Sequence, residues 1–198
     1  NARLAGIEDL YESNLSQHGY DSKAVGWTTH ESQAMRFEVL SQAIASHRKP
    51  AVVNDYGCGL GDHLVYLESC AIEVSSYFGY DISQSMVDAA SSNLRNSRSK
   101  VQILHSAQVR SLADFTFVSG TFNVRLDNSN EDWADYIRGV LVHLFESTKV
   151  NLSFNLLSTF VDWQDPALFY GNPSEWLDWC QTNLSKSVNL YHSYPLYE

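Results

Sequence analysis

The chain has little positive charge and no long apolar run. Its 198 residues include 13 Lys and Arg against 23 Asp and Glu, which gives a formal net charge of −10. A broad nucleic-acid surface needs clustered Lys and Arg to bind phosphates, so this composition argues against one. No apolar run approaches the roughly 20 residues that cross a bilayer, and no stretch resembles a charged-then-apolar leader. We therefore expect a cytosolic protein with no nucleic-acid and no membrane partner.

Cysteine is also scarce. The three cysteines, Cys58, Cys70 and Cys180, do not have the paired spacing of a disulfide framework or of a thiolate metal site. We expect three reduced thiols and no bound metal, in agreement with a cytosolic location. The chain contains no internal repeat and no low-complexity tract, and its length suits one domain with a substantial core.

Strand-like and helix-like segments alternate after residue 50. Buried strands are predicted at 51–56, 74–80, 101–104, 115–118 and 150–157, and helices at 62–70, 83–94, 131–146 and 173–180. This alternation predicts an α/β fold with a mainly parallel sheet. Two final strands, 188–191 and 194–197, lie too close together for a helical crossover, so they are expected to pair antiparallel.

Residues 1–50 differ from this core because they show helical patterns and no strand. Thr28-x-x-Glu31 is a candidate capping box for a helix that carries Phe37 and Leu40. We interpret residues 1–198 as a single domain, in which 1–50 form a helical cap over the carboxyl ends of the strands and 51–198 form the core.

A glycine-rich loop, Asp55-Tyr56-Gly57-Cys58-Gly59-Leu60-Gly61, joins the first predicted strand to a helix. A strand, a glycine turn and a helix start form a nucleotide-type cradle. Gly61 follows Gly57 by four residues, whereas a dinucleotide site prefers five. Asp55 would repel a pyrophosphate and suits a cationic group, and Asp81 can accept hydrogen bonds from both ribose hydroxyls. These residues predict a nucleoside ligand with a positively charged tail.

Two segments together resemble the signature of a known family, the class I S-adenosylmethionine-dependent methyltransferases. The glycine-rich loop is similar to the family's first motif, and Gly79-Tyr80-Asp81-Ile82-Ser83 with Met86 and Ala89-Ala90 is similar to the second. The resemblance covers residues 50–198. It implies a Rossmann-like, mainly parallel sheet of seven strands with an antiparallel last strand, cut short at Glu198, and helices on both faces. It also implies S-adenosylmethionine as cofactor and S-adenosylhomocysteine as product.

The resemblance also implies which residues bind the cofactor. Asp55 would serve the ammonium group through a hydrogen-bond network, Asp81 would hold the ribose, and Ile82 and Met86 would flank the adenine. Family members often have an Asp after the third strand, where this chain has His105-Ser106-Ala107, so Ser106 or a backbone group is expected there. The full expected set is Trp27, Gln33 and Arg36 in the cap, with Asp55, Gly57, Cys58, Gly59, Gly61, Asp81, Ile82, Met86, Ser106, Ser119 and Gly120 in the core.

The cap residues rest on a second resemblance. The stretch from Gly19 to Trp27, with Gln33 and Arg36, is similar to a small bacterial subgroup of these enzymes, whose members are often of unknown substrate. It implies a lid in which Gln33 and Arg36 face the cofactor carboxylate.

Methyl transfer from a sulfonium is an in-line displacement, which depends mainly on alignment and on exclusion of water. A base is needed only when the acceptor must lose a proton, and the candidates are His30, His63 and Asp162. Asn123 and Asn155, after the fourth and fifth strands, are candidates to orient an acceptor by hydrogen bonding.

The function expected from the sequence is methyl transfer to oxygen or nitrogen of a small molecule, by a monomer or a weak homodimer. Ser119 and Gly120 stand where metal-dependent catechol-type enzymes have carboxylates, and Asn172-Pro173-Ser174 differs from the Asn/Asp-Pro-Pro-aromatic clamp of base-modifying enzymes. A nicotinamide-dependent oxidoreductase is the first alternative, although the glycine spacing and the lack of a Tyr-x-x-x-Lys pair disfavour it. A non-catalytic protein that binds S-adenosylmethionine is the second.

Overall fold

The computed structural model describes residues 2–19 and 29–198, and its centre is a parallel sheet with helices on both faces. In chain order the elements are α1 (Ala2–His18), α2 (His30–Leu40), α3 (Gln42–Ala45), β1 (Ala51–Tyr56), α4 (Asp62–Ser69), β2 (Val74–Asp81), α5 (Gln84–Asn93), β3 (Lys100–His105), β4 (Ala113–Val118), α6 (Asn130–Glu146), β5 (Thr148–Phe154), β6 (Leu157–Ser158), β7 (Tyr170–Gly171) and α7 (Pro173–Asn183).

The main sheet has the strand order β3-β2-β1-β4-β5, and every pairing in it is parallel. In the central strand β1, Asp55 lies opposite Gly79 of β2 on one side and Phe117 of β4 on the other. The strand order changes direction between β1 and β4, and ligands of open α/β sheets bind outside the carboxyl ends at such a point. The glycine-rich loop follows β1 at this position.

The two faces of the sheet are buried under different helices. Val53 of β1 packs in one core cluster with Leu40 and Leu64 of the α2–α4 layer. Tyr56, three residues further along the strand and hence on the opposite face, packs in a second cluster with Trp133 and Ile137 of α6. Both faces of β1 are thus covered, and its polar side chains Asn54 and Asp55 are buried with the apolar ones.

Side-chain caps fix the starts of α2, α5, α6 and α7. Ser83 Oγ accepts from the Met86 backbone N–H at 3.3 Å at the start of α5, and Asn172 caps α7 ahead of a first-turn proline. Helix α2 differs, since its cap is Thr29, whose Oγ1 accepts from the Ser32 N–H at 3.1 Å. The predicted cap Thr28 lies outside the described residues.

The prediction of seven strands with an antiparallel last strand is wrong for the described part of the chain, whose main sheet has five parallel strands. Segments 188–191 and 194–197 form no strand there. Their backbone makes isolated hydrogen bonds instead: the Leu196 N–H donates to the nearby Tyr194 carbonyl, and the Ser158 N–H of β6 donates to the Tyr197 carbonyl, both at 2.8 Å. Leu190, Tyr191 and Tyr197 are exposed and so lack the half-buried surface that strands use. Strands β6 and β7 form a separate two-residue parallel pair.

Two further observations concern residues 2–19 and 29–198 only. None of their helices has both the length and the apolar character that crossing a bilayer requires. They also contain no group of three or more His, Cys, Asp or Glu side chains that could hold a metal ion.

Candidate functional site

A cleft lies at the carboxyl ends of β1, β2 and β4, beneath residues of α1 and α2. The residues predicted to bind the cofactor that line it are Gln33, Asp55, Gly57, Cys58, Gly59, Asp81, Ile82, Met86, Ser106, Ser119 and Gly120. The topology thus brings together one face of the cap and the loops after four neighbouring strands, including β3, which Ser106 follows.

Gly57 is the point where the loop after β1 meets the loop after β4. Its φ is +74°, a left-handed conformation that favours glycine, and a Cβ at this position would lie 2.2 Å from Thr121 Oγ1. The Thr121 hydroxyl donates to the Tyr56 carbonyl at 2.9 Å. A side chain at position 57 would therefore displace a residue that ties the two loops together.

Gly61 has a packing role. It is the N-cap of α4 with a φ of +77°, and a Cβ there would lie 2.6 Å from Leu94 Cδ1. The absence of a side chain lets α4 start close to the end of α5. Gly61 is not among the residues that line the cleft, whereas its neighbour Asp62 is.

Asp81 is held in place by the backbone on both sides. Its Oδ2 accepts from the Gly59 N–H and its Oδ1 accepts from the Ser83 N–H, each at 3.0 Å. Burial raises the pKa of Asp81, and the backbone hydrogen bonds counter part of that shift. Each carboxylate oxygen has two lone-pair sites, so Asp81 can still accept hydrogen bonds from a ligand in the cleft.

Asp55 lies beneath the glycine-rich loop, and it is buried. Its Oδ2 accepts from the Tyr77 hydroxyl at 2.6 Å. Burial raises the pKa of Asp55 to about 7; the Tyr77 hydrogen bond lowers it, and the Asp81 and Asp62 carboxylates raise it further. The carboxyl therefore titrates close to neutral pH, and Tyr77 fixes its orientation.

Gln33 of the cap makes a polar contact in the cleft. Gln33 Nε2 donates to Asp62 Oδ2 at 3.1 Å, and both residues line the cleft. Burial raises the pKa of the Asp62 carboxyl, while the bond from Gln33 lowers it. Arg36, which was expected beside Gln33 at the cofactor carboxylate, is absent from the lining and is buried in an ion pair with Glu198.

His63 has a neutral imidazole ring, which packs against the cap helix α2. Burial lowers its pKa to about 3. Its ring stacks on the Phe37 ring with centroids 4.5 Å apart. The centroid of the Phe117 ring also lies 4.5 Å away, with the two ring planes inclined at 59°. Nε2 lies 2.9 Å from Ser41 Oγ, and Nδ1 has no hydrogen-bond partner within the described residues. Of the five residues predicted to take part in catalysis, His63 is the one that lines the cleft.

A side chain that follows β5 holds the loop after β4 in place. The Gly120 N–H donates to Asn155 Oδ1 at 2.7 Å, in a buried position. Ser119 Oγ is buried in the cleft, and no group in residues 2–19 or 29–198 satisfies it. Asn155 therefore positions the loop, and it does not line the cleft itself.

The remaining predicted residues lie elsewhere. Asn123 is buried behind the loop, where its backbone carbonyl accepts from the Phe169 N–H at 2.8 Å. His30 is exposed at the start of α2, and Asp162 is exposed in the loop after β6; neither lines the cleft. Trp27 lies outside the described residues.

The prediction from sequence missed an apolar wall of the cleft, made by residues from α1, α2 and α6 and their flanking segments. Its members are Leu4, Ile7, Tyr11, Phe37, Tyr56, Phe122, Trp133 and Tyr136. One signal was available for α6: it follows the loop after β4, so its first turns must lie near the carboxyl end of that strand. No comparable signal places α1, because no strand precedes it.

Comparison with known proteins gives one relative at substantial identity. The chain is 34% identical over 157 residues to a Mycobacterium tuberculosis protein named "Putative methyltransferase Rv1506c", across 78% of this chain and 93% of that one. No family model matches.

Solved structures of low identity share the fold. Magnesium protoporphyrin IX methyltransferase from Synechocystis PCC 6803, with bound S-adenosylhomocysteine (SAH), has a TM-score of 0.60 at 13% identity, over 90% of this chain and 84% of that one. The mycolic acid cyclopropane synthase CmaA1, complexed with SAH, has a TM-score of 0.51 at 14% identity, and the 65% of this chain that aligns spans 43% of its length.

The identity to a named methyltransferase extends over most of both chains, and it agrees with the two sequence motifs and with the fold. The nicotinamide-dependent alternative finds no support in any of these observations. The chain belongs to the class I S-adenosylmethionine-dependent methyltransferases.

Proposed function

We propose that this chain methylates a small-molecule acceptor at oxygen or nitrogen, with S-adenosylmethionine as donor. The observation that carries the proposal is the position of Asp81, whose carboxylate is fixed by two loop amides at the rim of a cleft with an apolar wall. Such a site combines an anchor for a polar nucleoside with an apolar space for a second molecule.

The residues present fit the cofactor. Asp81 would hold the ribose, Ile82 and Met86 would flank the adenine, and the glycine-rich loop would lie under the methionine part. Ser119 Oγ offers a buried hydroxyl in the same cleft whose hydrogen bonds are not made within the described residues, and such a group favours a polar ligand. S-adenosylmethionine, when bound, supplies an activated methyl group on a positively charged sulfur.

The chain's own residues position the reactants and exclude water from the cleft. Leu4 and Ile7 of α1 and Phe37 of α2 form an apolar roof over the cleft, which excludes water from the reacting groups. The neutral imidazole of His63 can donate or accept one hydrogen bond at Nδ1, according to the tautomer that Ser41 selects. With a pKa near 3 it is a weak base, so its role in this proposal is to orient the acceptor.

The charges of the cleft restrict the acceptor. Three carboxyl groups line it, those of Asp55, Asp62 and Asp81, and no Lys or Arg does so within the described part of the chain. An anionic acceptor would enter a site lined by carboxyl groups, with no Lys or Arg among the described lining residues to pair with. The acceptor is therefore proposed to be neutral or cationic.

The test has two stages. Calorimetry with S-adenosylmethionine, SAH and NAD should give binding of the two sulfur compounds and none of NAD; the opposite pattern would overturn the cofactor assignment. Transfer of a labelled methyl group is then measured on matched acceptors, namely phenethylamine, 2-phenylethanol and phenylacetate within a wider metabolite panel. Binding without transfer to any acceptor would support a silent binding protein, and preference for carboxylates would contradict the charge argument. The cytosolic location and the monomeric or weakly dimeric state stay predictions.

A further inference from the structure

A buried ion pair connects the last segment of the chain to the cap helix α2. Arg36 Nε lies 2.7 Å from Glu198 Oε1 and 2.8 Å from Oε2, and Nη2 also donates to Oε1. The exposed fractions of the two side chains are 6% and 1%. Residues 36 and 198 are 162 positions apart, so this pair is a long-range tertiary contact.

The segment around Glu198 is itself tied down. The Tyr194 hydroxyl donates to Glu198 Oε2 at 3.2 Å, and His192 Nδ1 lies 2.7 Å from the Glu198 carbonyl oxygen. Strand β6 also holds this segment, because the Ser158 N–H donates to the Tyr197 carbonyl at 2.8 Å. The carboxylate that meets Arg36 is thus held by the fold around β6.

On the other side, Arg36 stands between two residues that reach the cleft. Gln33, one turn earlier on α2, donates to Asp62, and Phe37, the next residue, stacks on His63. Both Gln33 and Phe37 line the cleft, and Arg36 does not. A change in the position of α2 would therefore shift a polar contact and an apolar wall of the site together.

We propose that Arg36 and Glu198 are positioning residues: their buried pair holds α2 in the register that closes the cleft over the cofactor. Arg36 then acts through the helix and touches no ligand, in contrast to the role that the sequence resemblance implies for it. Removing one partner breaks this ion pair in a buried position, and α2 is expected to move or loosen in response. The inference rests on the proposed cofactor site and goes beyond the proposed reaction.

The test measures SAH affinity by calorimetry and amide hydrogen exchange, on the full chain well below its unfolding temperature. Arg36→Gln and Glu198→Gln should each weaken SAH binding about fivefold or more, a typical coupling between two sites. Exchange should quicken in α2 while α6 stays protected. The matched controls are Lys149→Gln and Asp135→Asn, which remove half-exposed and exposed partners of ion pairs and should leave SAH affinity within about twofold.

The outcomes separate this inference from the proposed function. Failure of the unaltered chain to bind SAH would overturn the cofactor site and this inference with it. Normal SAH affinity in both Gln variants, or a loss of protection spread equally over α2 and α6, would overturn the positioning role alone. If Arg36→Gln does not fold, the neutral isostere Glu198→Gln, which keeps hydrogen-bonding capacity, decides the matter by the same two measurements.

Discussion

Gly57→Ala is the sharpest test of how the cleft is built. An Ala in the left-handed region costs about 1–2 kcal/mol. Its Cβ would lie 2.2 Å from Thr121 Oγ1 and 2.6 Å from Cγ2, so the Thr121 side chain must move and lose its hydrogen bond to Tyr56, worth about 1 kcal/mol. Residual crowding in a packed region adds about 1–3 kcal/mol. We expect the free energy of unfolding to fall by about 3–6 kcal/mol.

The free energy of unfolding is measured in urea, and its slope against urea concentration is compared between the variants. The matched control is Gly139→Ala, on the exposed face of α6, where a Cβ would meet nothing within 4 Å; it should stabilise the chain by up to about 1 kcal/mol. The double variant with Thr121→Ala should recover about 1 kcal/mol or more relative to the sum of the single changes. A loss below about 1 kcal/mol, or strict additivity, would refute the steric reasoning.

Three further predictions concern the carboxyl groups and the imidazole of the cleft. Asp81→Ala should weaken SAH binding about tenfold to hundredfold in calorimetry, because hydrogen bonds to a charged acceptor are lost; unchanged affinity would remove Asp81 from the ribose role. The pKa of Asp55, raised by burial to about 7, means that the folded state binds its proton more tightly than the unfolded chain, whose Asp titrates near 4. The stability that this proton contributes is present below about pH 4 and is lost as the pH rises to about 7, so unfolding free energies should show this fall relative to Asp55→Asn; a constant difference between the two would contradict it. The His63 ring, with a pKa lowered to about 3, should show no titration in its NMR signals above about pH 4.5, and a midpoint near 6.5 would show that it is not buried as described.

The sequence predicted the elements whose pattern is local. Strands β1 to β4 are short apolar runs with clear ends, and the caps Ser83 and Asn172 mark helix starts by their own side-chain chemistry. The strands predicted at 188–191 and 194–197 failed because pairing with a sheet edge is a tertiary property. The two segments contain large apolar residues, but the fold leaves Leu190, Tyr191 and Tyr197 on the surface.

The same distinction between local and long-range signals applies to the residues of the site. Asp55 and Asp81 could be placed because each stands at the end of a predicted parallel strand, and such ends share one edge of the sheet. The partner of Arg36 could not be predicted, because Glu198 lies 162 positions away and no local sequence pattern connects the two residues. Asn155 was expected to orient an acceptor, and its side chain instead holds the backbone of Gly120.

The ties between the loop after β4 and its neighbours limit how this enzyme could change its acceptor. Thr121 is bonded to the end of β1, and Gly120 is bonded to Asn155, so this loop is part of the frame that shapes the cofactor cradle. A substitution there would alter donor affinity together with acceptor choice. Trp133 and Tyr136 belong to the same frame, because the Trp133 Nε1–H donates to the Phe122 carbonyl at 2.9 Å and the Tyr136 hydroxyl lies 3.3 Å from that of Tyr56. Diversification without that penalty is therefore expected on α1, where Leu4 and Ile7 contribute to the apolar wall.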